Sequence, residues 1–328
     1  VEAILRVYNR YGRRDNKYKA RIKILVKALG IDAFKQEVEQ EWEQIKAGPA
    51  ELTFAEYQRV STAFSQPDYI NLPEQDLDYH THIYMDDDFA RWVSRNVSAH
   101  KIPGYAAVTL STKPGADIPP GDVTSTQMET VADWADEYGF GEIRIAHEQN
   151  LVLPDIRKRD LYSLWEKAVV CGLATSNAGL LTDIIACPGG DYCSLANAKS
   201  IPIAQSIQQR FENLDFVHDL GDLSLNISGC MNACGHHHIG NIGILGVDKN
   251  GSEFYQITLG GAQGKNSALG KVIGPSFSAE EVPSVVEKII DIYTRYREPE
   301  ELFVDTYQRI GAEPFREKIY PAPNGVSI

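Results

Sequence analysis

Four of the chain's five cysteines form two close pairs in the second half of the sequence. Five residues separate Cys187 from Cys193, and three residues separate Cys230 from Cys234. Thiolates are soft ligands that both iron and zinc accept, so two such pairs predict a metal centre. The fifth cysteine, Cys171, lies in an apolar run, and we expect it to pack in a core away from the other four.

The spacing within the pairs favours an iron–sulfur cluster but leaves other sites open. Zinc ribbons usually repeat a gap of roughly two to four residues, whereas the first gap here is wider and contains Pro188, Gly189 and Gly190. Glycines let the backbone pass close to a cluster and direct amide groups at its sulfurs. Structural zinc and reduced structural thiols are the alternatives. Disulfides are the least favoured, because no export signal is recognisable.

The same residues carry a resemblance to a known family. The two pairs, with Asn232 inside the second pair and Gly235 after it, resemble the motif of the sulfite and nitrite reductase haemoproteins. The segment 226–261 is similar to the bacterial sulfite reductase branch of that family. The resemblance implies that the four paired cysteines, Cys187, Cys193, Cys230 and Cys234, bind a [4Fe-4S] cluster. It further implies that Cys234 also bridges to the iron of sirohaem and that Asn232 lies at the cofactors.

Two other segments match parts of the family that contact sirohaem. Arg21 and Lys23, within a basic cluster over residues 13–23, resemble a segment whose charges meet the sirohaem carboxylates. A group with many carboxylates needs several basic side chains to pair with them. The alternative for a run of charged residues is a helix face exposed to solvent. Gln149 and Asn150 match a segment that lies against sirohaem in the family. A polar loop between two strands without any such role would have the same appearance.

Composition and charge limit the classes of partner. Hydrophobic residues make up 43% of the chain and charged residues 23%, as in an ordinary globular protein. The net charge of -13 argues against non-specific binding to nucleic acid and against an anionic membrane surface. No apolar run approaches the roughly 18 residues that span a bilayer. Free cysteines beside a metal site fit a reducing compartment, so we expect a cytoplasmic protein.

The order of helical and strand patterns predicts an α+β fold. We expect residues 1–48 to be a helical tail of a preceding sirohaem-binding domain. Residues 49–172 are expected to form a ferredoxin-like α/β sandwich domain. Residues 173–328 are expected to form a mixed α/β domain that binds the [4Fe-4S] cluster and sirohaem.

Four local patterns make predictions that the structure can check. Residues 80–84 alternate as a strand does, which would put His80 and His82 on one face. Thr126 and Glu129 have the spacing of a capping box at a helix start. The residues after Cys193 read as the start of a long helix, whose dipole would favour a thiolate there. Residues 248–251 form a strong hairpin signal.

The resemblance implies a six-electron reduction of sulfite to sulfide at sirohaem, with electrons from ferredoxin or an NADPH-flavoprotein. Nitrite reduction to ammonia is the alternative within the same class of enzyme. A cluster-bearing electron-transfer module and a zinc-stabilised domain are alternatives from other classes. The first residue is Val1 rather than Met, and the chain begins in the middle of the family's sequence pattern. We therefore expect a fragment that lacks the distal anion pocket and binds sirohaem poorly alone, and no catalytic proton donor is predicted.

Overall fold

The structure is a computed structural model, and it describes residues 1–49 and 51–321. The chain divides into two compact units, Val1–Asp68 and Tyr69–Ile328. Each unit is described by itself below. The first unit extends past the predicted boundary at residue 48, and the three-part division of the chain stays a prediction.

The first unit is helical. Its helices are α1 (Glu2–Tyr11), α2 (Ile22–Leu29), α3 (Ile31–Ile45) and α4 (Phe54–Ser61). Val7, Leu25 and Phe34 form its small buried core, one from each of the first three helices. Buried Glu41 accepts a hydrogen bond from Arg10 at 2.7 Å, which ties α3 to α1.

The second unit starts with a four-stranded antiparallel sheet in the order β1-β2-β4-β3. The strands are β1 (Val97–Ala99), β2 (Tyr105–Leu110), β3 (Arg144–Ile145) and β4 (Leu151–Arg157). The helices of this part are α5 (Leu77–Met85), α6 (Asp87–Asn96), α7 (Ser125–Tyr138) and α8 (Leu161–Cys171). Side chains of β2 and β4 pack with those of the helices in one core that includes Trp92, Val108, Leu153 and Leu164.

A second, five-stranded sheet follows in the order β5-β6-β7-β8-β9. The strands are β5 (Ile185–Ala186), β6 (Leu225–Ser228), β7 (Ile242–Lys249), β8 (Ser252–Leu259) and β9 (Lys271–Val272). The first three strands are parallel to one another, and the last three are antiparallel. The helices are α9 (Gly189–Tyr192), α10 (Ile201–Arg210), α11 (Leu214–Leu220), α12 (Val282–Tyr296), α13 (Phe303–Ile310) and α14 (Glu313–Ile319). The predicted hairpin is present, because Asn250 and Gly251 both adopt the positive φ of its tight turn.

Two local predictions for the first sheet's surroundings were wrong. Residues 80–84 are not a strand but part of α5, which Asp76 caps by accepting a hydrogen bond from the Tyr79 amide at 3.0 Å. His80 and His82 therefore point to different sides, since residues two apart on a helix do not share a face. The ring of His82 stacks on Tyr162 at 3.8 Å between centroids.

The capping box of α7 also lies two residues earlier than predicted. Thr124 is the N-cap, and its hydroxyl accepts from the Gln127 amide at 3.1 Å. The Gln127 side chain accepts in return from the Thr124 amide at 2.9 Å. Glutamine at the third helical position closes the box as well as glutamate does, so Thr126 and Glu129 are not needed.

Candidate metal centre

Two neighbouring parallel strands deliver one cysteine of each pair to the same edge of the second sheet. Cys187 directly follows β5, and Cys230 comes two residues after β6. The Cys187 amide donates to the Ile227 carbonyl at 3.1 Å, which continues the pairing of the two strands. Because parallel strands end at the same edge, both side chains arrive there together, and both are buried.

Hydrogen bonds from the protein reach the sulfur of Cys187. The amide of Gly229 donates to it at 3.1 Å, and the hydroxyl of Ser200 lies 3.4 Å away. Gly229 precedes Cys230, so the loop of the second pair contacts the sulfur of the first pair directly. Hydrogen bonds to the cysteine sulfurs are a feature of protein sites that hold iron–sulfur clusters.

The loops around the cysteines are packed too closely for side chains at two glycines. A Cβ added to Gly229 would lie 2.5 Å from the carbonyl oxygen of Ala198. At Gly235, directly after Cys234, it would lie 1.9 Å from the carbonyl oxygen of Ile227. Glycine lets the backbone approach at these points. Glycine is therefore required at positions 229 and 235 by the packing of the loops.

Cys193 does not lie at the start of a helix, contrary to the prediction. It ends the short helix α9, and its amide donates to the Gly189 carbonyl at 2.9 Å. The next helix, α10, begins only at Ile201. The intervening turn is held because the carbonyl of Gly229 accepts from the amides of Asn197 and Ala198. The helix dipole therefore supplies no stabilisation to a thiolate at Cys193.

Cys234 lies in an exposed turn between β6 and β7. Its neighbour Ala233 has a positive φ of 58°, an uncommon backbone conformation for a residue other than glycine. The amide of Gly235 donates to the hydroxyl of Ser228 at 3.1 Å and anchors the turn to the end of β6. Cys234 is thus the most accessible of the four paired cysteines.

The charges of the other three paired cysteines reach Cys234. The pKa of Cys234 is raised, first by burial of the thiol and then by the like charges of Cys187, Cys230 and Cys193. The other three paired cysteines therefore lie close enough for their charges to act on Cys234. Cys171 is separate, at the end of α8 against the core of the first sheet, and burial alone raises its pKa.

These features fit a [4Fe-4S] cluster. Four cysteine sulfurs converge, a backbone amide donates to one of them, and glycines let the loops approach closely. Within residues 1–49 and 51–321, no three Cys, His, Asp or Glu side chains are arranged to hold a single metal ion. That finding does not bear on a cluster, because each cysteine of a cubane binds a different iron.

Gln149 and Asn150 lie in the turn between β3 and β4, as predicted, but their amide groups bond to protein. The Gln149 carboxamide makes two hydrogen bonds with the backbone of Ala186, at 2.8 and 2.9 Å. Asn150 is buried, and its side chain donates to Asp183 at 3.0 Å. Contact of these two residues with sirohaem stays a prediction.

The structure shows a buried ion pair beside this turn that the sequence reasoning missed. The ammonium of Lys113 lies 2.6 Å from a carboxylate oxygen of Asp183, and both side chains are almost fully buried. Burial lowers the pKa of Lys113, and the charge of Asp183 partly offsets that effect. Asp183 stands within the apolar run 180–186. A single charged residue within an apolar run indicates a buried charge that needs a partner of opposite charge. Asp183 was therefore the signal in the sequence that could have predicted the ion pair.

Of the other predicted residues, Lys23 and Asn232 are exposed and Arg21 is half-buried. Arg21 is the residue before α2, where its guanidinium donates to the carbonyl of Ala20 at 3.0 Å. Lys23 is exposed on the first turn of α2. Both belong to the first compact unit. Asn232 is exposed in the turn between Cys230 and Cys234. The cofactor contacts proposed for these residues stay predictions.

The three consecutive histidines lie in turns after Cys234 rather than on a strand. His236 and His238 are exposed, whereas His237 is buried with 1% of its surface accessible. Its Nδ1 has no hydrogen-bond partner. Burial, with a smaller effect from His238, lowers the pKa of His237 to about 4. The buried ring is therefore neutral near pH 7.

Comparisons with known proteins agree with this arrangement. The family described as nitrite and sulphite reductase 4Fe-4S domain matches residues 1–46 and 178–323. The nitrite/sulfite reductase ferredoxin-like half domain matches residues 115–169. The α+β fold predicted from the sequence, a ferredoxin-like part followed by a mixed α/β part, is confirmed.

Relatives and solved structures carry related names. A chloroplastic ferredoxin–nitrite reductase of Oryza sativa subsp. japonica is 27% identical over 88% of this chain and 43% of its own length. Sulfite reductase [ferredoxin] 2 of Mycolicibacterium paratuberculosis is 26% identical over 96% of this chain and 51% of its own length. The structure of the Mycobacterium tuberculosis NirA protein superposes with a TM-score of 0.62 at 25% identity, covering 96% of this chain and 52% of that one.

A dissimilatory sulfite reductase shares the fold, with a TM-score of 0.56 at 14% identity over 87% of this chain and 91% of that one. The chain spans about half the length of the curated relatives it matches. In the part of the chain that the structure describes, no helix is both long and apolar enough to cross a membrane.

Together, the two parts of the 4Fe-4S domain match cover more than half of the chain. The chain belongs to the nitrite and sulfite reductase family.

Proposed function

We propose that this chain supplies the [4Fe-4S] and sirohaem ligands of a reductase that converts sulfite to sulfide with six electrons. The observation that carries the proposal is that two neighbouring strands bring Cys187 and Cys230 to one sheet edge, where the charges of Cys187, Cys193 and Cys230 all act on Cys234 and raise its pKa. The match to the 4Fe-4S domain of the family covers all four of these residues.

The four cysteines divide into two kinds of environment. Cys187 and Cys230 are buried at the sheet edge, which suits thiolates that hold only the cluster. Cys234 is exposed on a turn, which suits a thiolate that must also reach the iron of sirohaem. When bound, the two cofactors supply single-electron transfers and an iron that binds the oxyanion. The chain's own part is to hold thiolates in place and to exclude water from the buried pair.

Nitrite is the second candidate substrate. The ferredoxin–nitrite reductases of Oryza sativa subsp. japonica and of Synechococcus elongatus favour it, at 27% and 28% identity. The sulfite reductase relative favours sulfite, with an alignment over 96% of this chain. We propose ferredoxin as the electron donor, because the names of both kinds of relative include it. An NADPH-flavoprotein donor, the alternative from the sequence, has no support among these relatives.

The test uses the complete gene product that contains this chain, expressed with a sirohaem supply and reconstituted anaerobically with iron and sulfide. Absorption spectra report sirohaem and cluster. Reduction of sulfite and of nitrite is then measured with a chemical electron donor. We expect both cofactors and a higher kcat/KM for sulfite. A higher kcat/KM for nitrite would select the second candidate, and a colourless protein with bound zinc would overturn the proposal.

A further inference from the structure

The carboxamide of Gln149 is bonded at both ends to one residue, Ala186, which directly precedes Cys187. Nε2 of Gln149 donates to the Ala186 carbonyl at 2.8 Å, and Oε1 accepts from the Ala186 amide at 2.9 Å. We propose that Gln149 is a positioning residue, which fixes the end of β5 and thereby the place of the Cys187 thiolate. The proposal rests on the cluster site proposed above.

The sheet topology explains why this strand needs such a support. β5 has only two residues and lies at the edge of its sheet, paired on one side with β6. The Cys187 amide points toward β6, where it bonds to Ile227. Successive residues of a strand direct their backbone groups to opposite sides, so those of Ala186 point away from the sheet. Gln149 pairs with them as a neighbouring strand would and satisfies both groups.

The backbone at Gln149 is held in an uncommon conformation that presents this side chain. Its φ is 65°, in the left-handed region that residues other than glycine seldom adopt. Such a conformation persists only where the surroundings hold it. The hydroxyl of Thr112 donates to the Gln149 carbonyl at 2.5 Å. Gly121 lies so close that an added Cβ would come within 3.2 Å of the Gln149 Cβ.

The buried ammonium of Lys113 also holds the turn that contains Gln149, through hydrogen bonds to residues on both sides of it. It donates to the Glu148 carbonyl, to the Asn150 side chain at 3.1 Å and to Asp183 at 2.6 Å. Its three donors therefore bond to the residues on both sides of Gln149 and to a residue near β5. Asp183 also accepts from Asn150 at 3.0 Å. The turn and the segment that carries Cys187 are thus joined at two points, the Lys113 network and the Gln149 carboxamide.

The proposal predicts a selective change in the reactivity of one thiol. Alkylation by iodoacetamide of the full, cluster-free chain is followed at each cysteine by mass spectrometry. Gln149→Ala removes two hydrogen bonds, and we expect the alkylation rate of Cys187 to rise about tenfold. Gln149→Glu keeps nearly the same shape but places a carboxylate oxygen against the Ala186 carbonyl. It is expected to raise the rate at Cys187 too, which a purely space-filling role would not.

A matched control is available at Gln127, whose Nε2 donates to the carbonyl of Cys171 at 2.9 Å. Gln127→Ala is expected to raise alkylation of Cys171 and to leave Cys187 unchanged. A general loss of stability would instead raise the alkylation rate at all five cysteines in every variant, including that of buried Cys230. The proposal is overturned by an unchanged rate at Cys187 in both Gln149 variants, or by a rise of equal size at all five cysteines.

Reconstitution with iron and sulfide separates this proposal from the proposed function. If the wild-type chain takes up no iron while the Gln149 variants selectively expose Cys187, the positioning role stands and the cluster site fails. If the wild type binds a cluster, the Gln149→Glu cluster is expected to show a shifted reduction potential, because Cys187 is held differently. A potential equal to that of the wild type, with unchanged alkylation, refutes the positioning role.

Discussion

The amide of Gly229 donates a hydrogen bond to the sulfur of Cys187 across 3.1 Å. Gly229 precedes Cys230, while Cys187 belongs to the other pair, 42 residues away in the chain. The bond therefore ties the two cysteine loops into a single structure at the edge of the second sheet. Hydrogen bonds to the sulfurs tune an iron–sulfur cluster, so the contact suits cluster binding as well as packing.

Gly229→Ala is expected to disrupt this structure, because the new Cβ would lie 2.5 Å from the carbonyl oxygen of Ala198. Forced overpacking of this kind costs about 1–3 kcal/mol. Urea denaturation and iron content after reconstitution measure the effect. Gly115→Ala is the matched control, because nothing lies within 4 Å of a Cβ at that position. Equal iron binding by the two variants would contradict the role given to Gly229.

Cys234→Ser is expected to alter both cofactors of the complete protein, whereas Cys187→Ser mainly damages the cluster. The reason is that only the exposed Cys234 is proposed to bind both the cluster and the iron of sirohaem. Absorption of sirohaem, measured together with iron content, reports the two effects separately. Equal loss of the sirohaem bands in both variants would count against the bridging assignment.

Lys113→Met is expected to destabilise the fold strongly, because it leaves Asp183 buried without its cation. Breaking a buried pair in this way costs about 3–5 kcal/mol. Lys167→Met is the control, since its pair with Glu137 is exposed and should contribute less than about 1 kcal/mol. Urea denaturation compares the two variants. The assignment fails if both lose the same small amount of stability.

Stability should depend on pH through the buried ring of His237. Its pKa is lowered to about 4 in the folded chain, from a usual value near 6.5. Between these values the unfolded chain binds a proton that the folded chain does not, so stability falls as pH decreases. The decrease is at most about 1.4 kcal/mol per pH unit for one proton.

His237→Gln removes this contribution, so the difference in unfolding free energy between pH 7 and pH 5 should be smaller in the variant than in the wild type. Denaturation of the cluster-free chain at the two pH values measures it. His238→Gln is the control, because that ring is exposed. An equal pH dependence in all three proteins would refute burial of a neutral His237.

Local signals in the sequence predicted much of the fold. Asn250 and Gly251 specified the hairpin, where both residues adopt a positive φ. The helix expected after Cys193 was wrong because its first residues instead bond to Gly229, a contact between distant parts of the chain. A periodic pattern contains no information about such a partner.

In the candidate site, too, local features could be predicted from the sequence and long-range contacts could not. The cysteines were identified because metal ligands need particular residue types at short spacings. The hydrogen bonds that hold the segment around Cys187 were missed, because they join residues far apart in the chain. Gln149 contacts Ala186 across 37 positions, and Lys113 contacts Asp183 across 70. Only the assembled fold brings these groups together.

Iron and acid-labile sulfide content, measured after anaerobic reconstitution, tests the central claim most directly. The account predicts about four irons and four sulfides per chain in the wild type and in Cys171→Ser. It predicts a large loss of both in Cys187→Ser and in Cys230→Ser. Zinc in place of iron, or a loss in Cys171→Ser as large as that in Cys187→Ser, would contradict it.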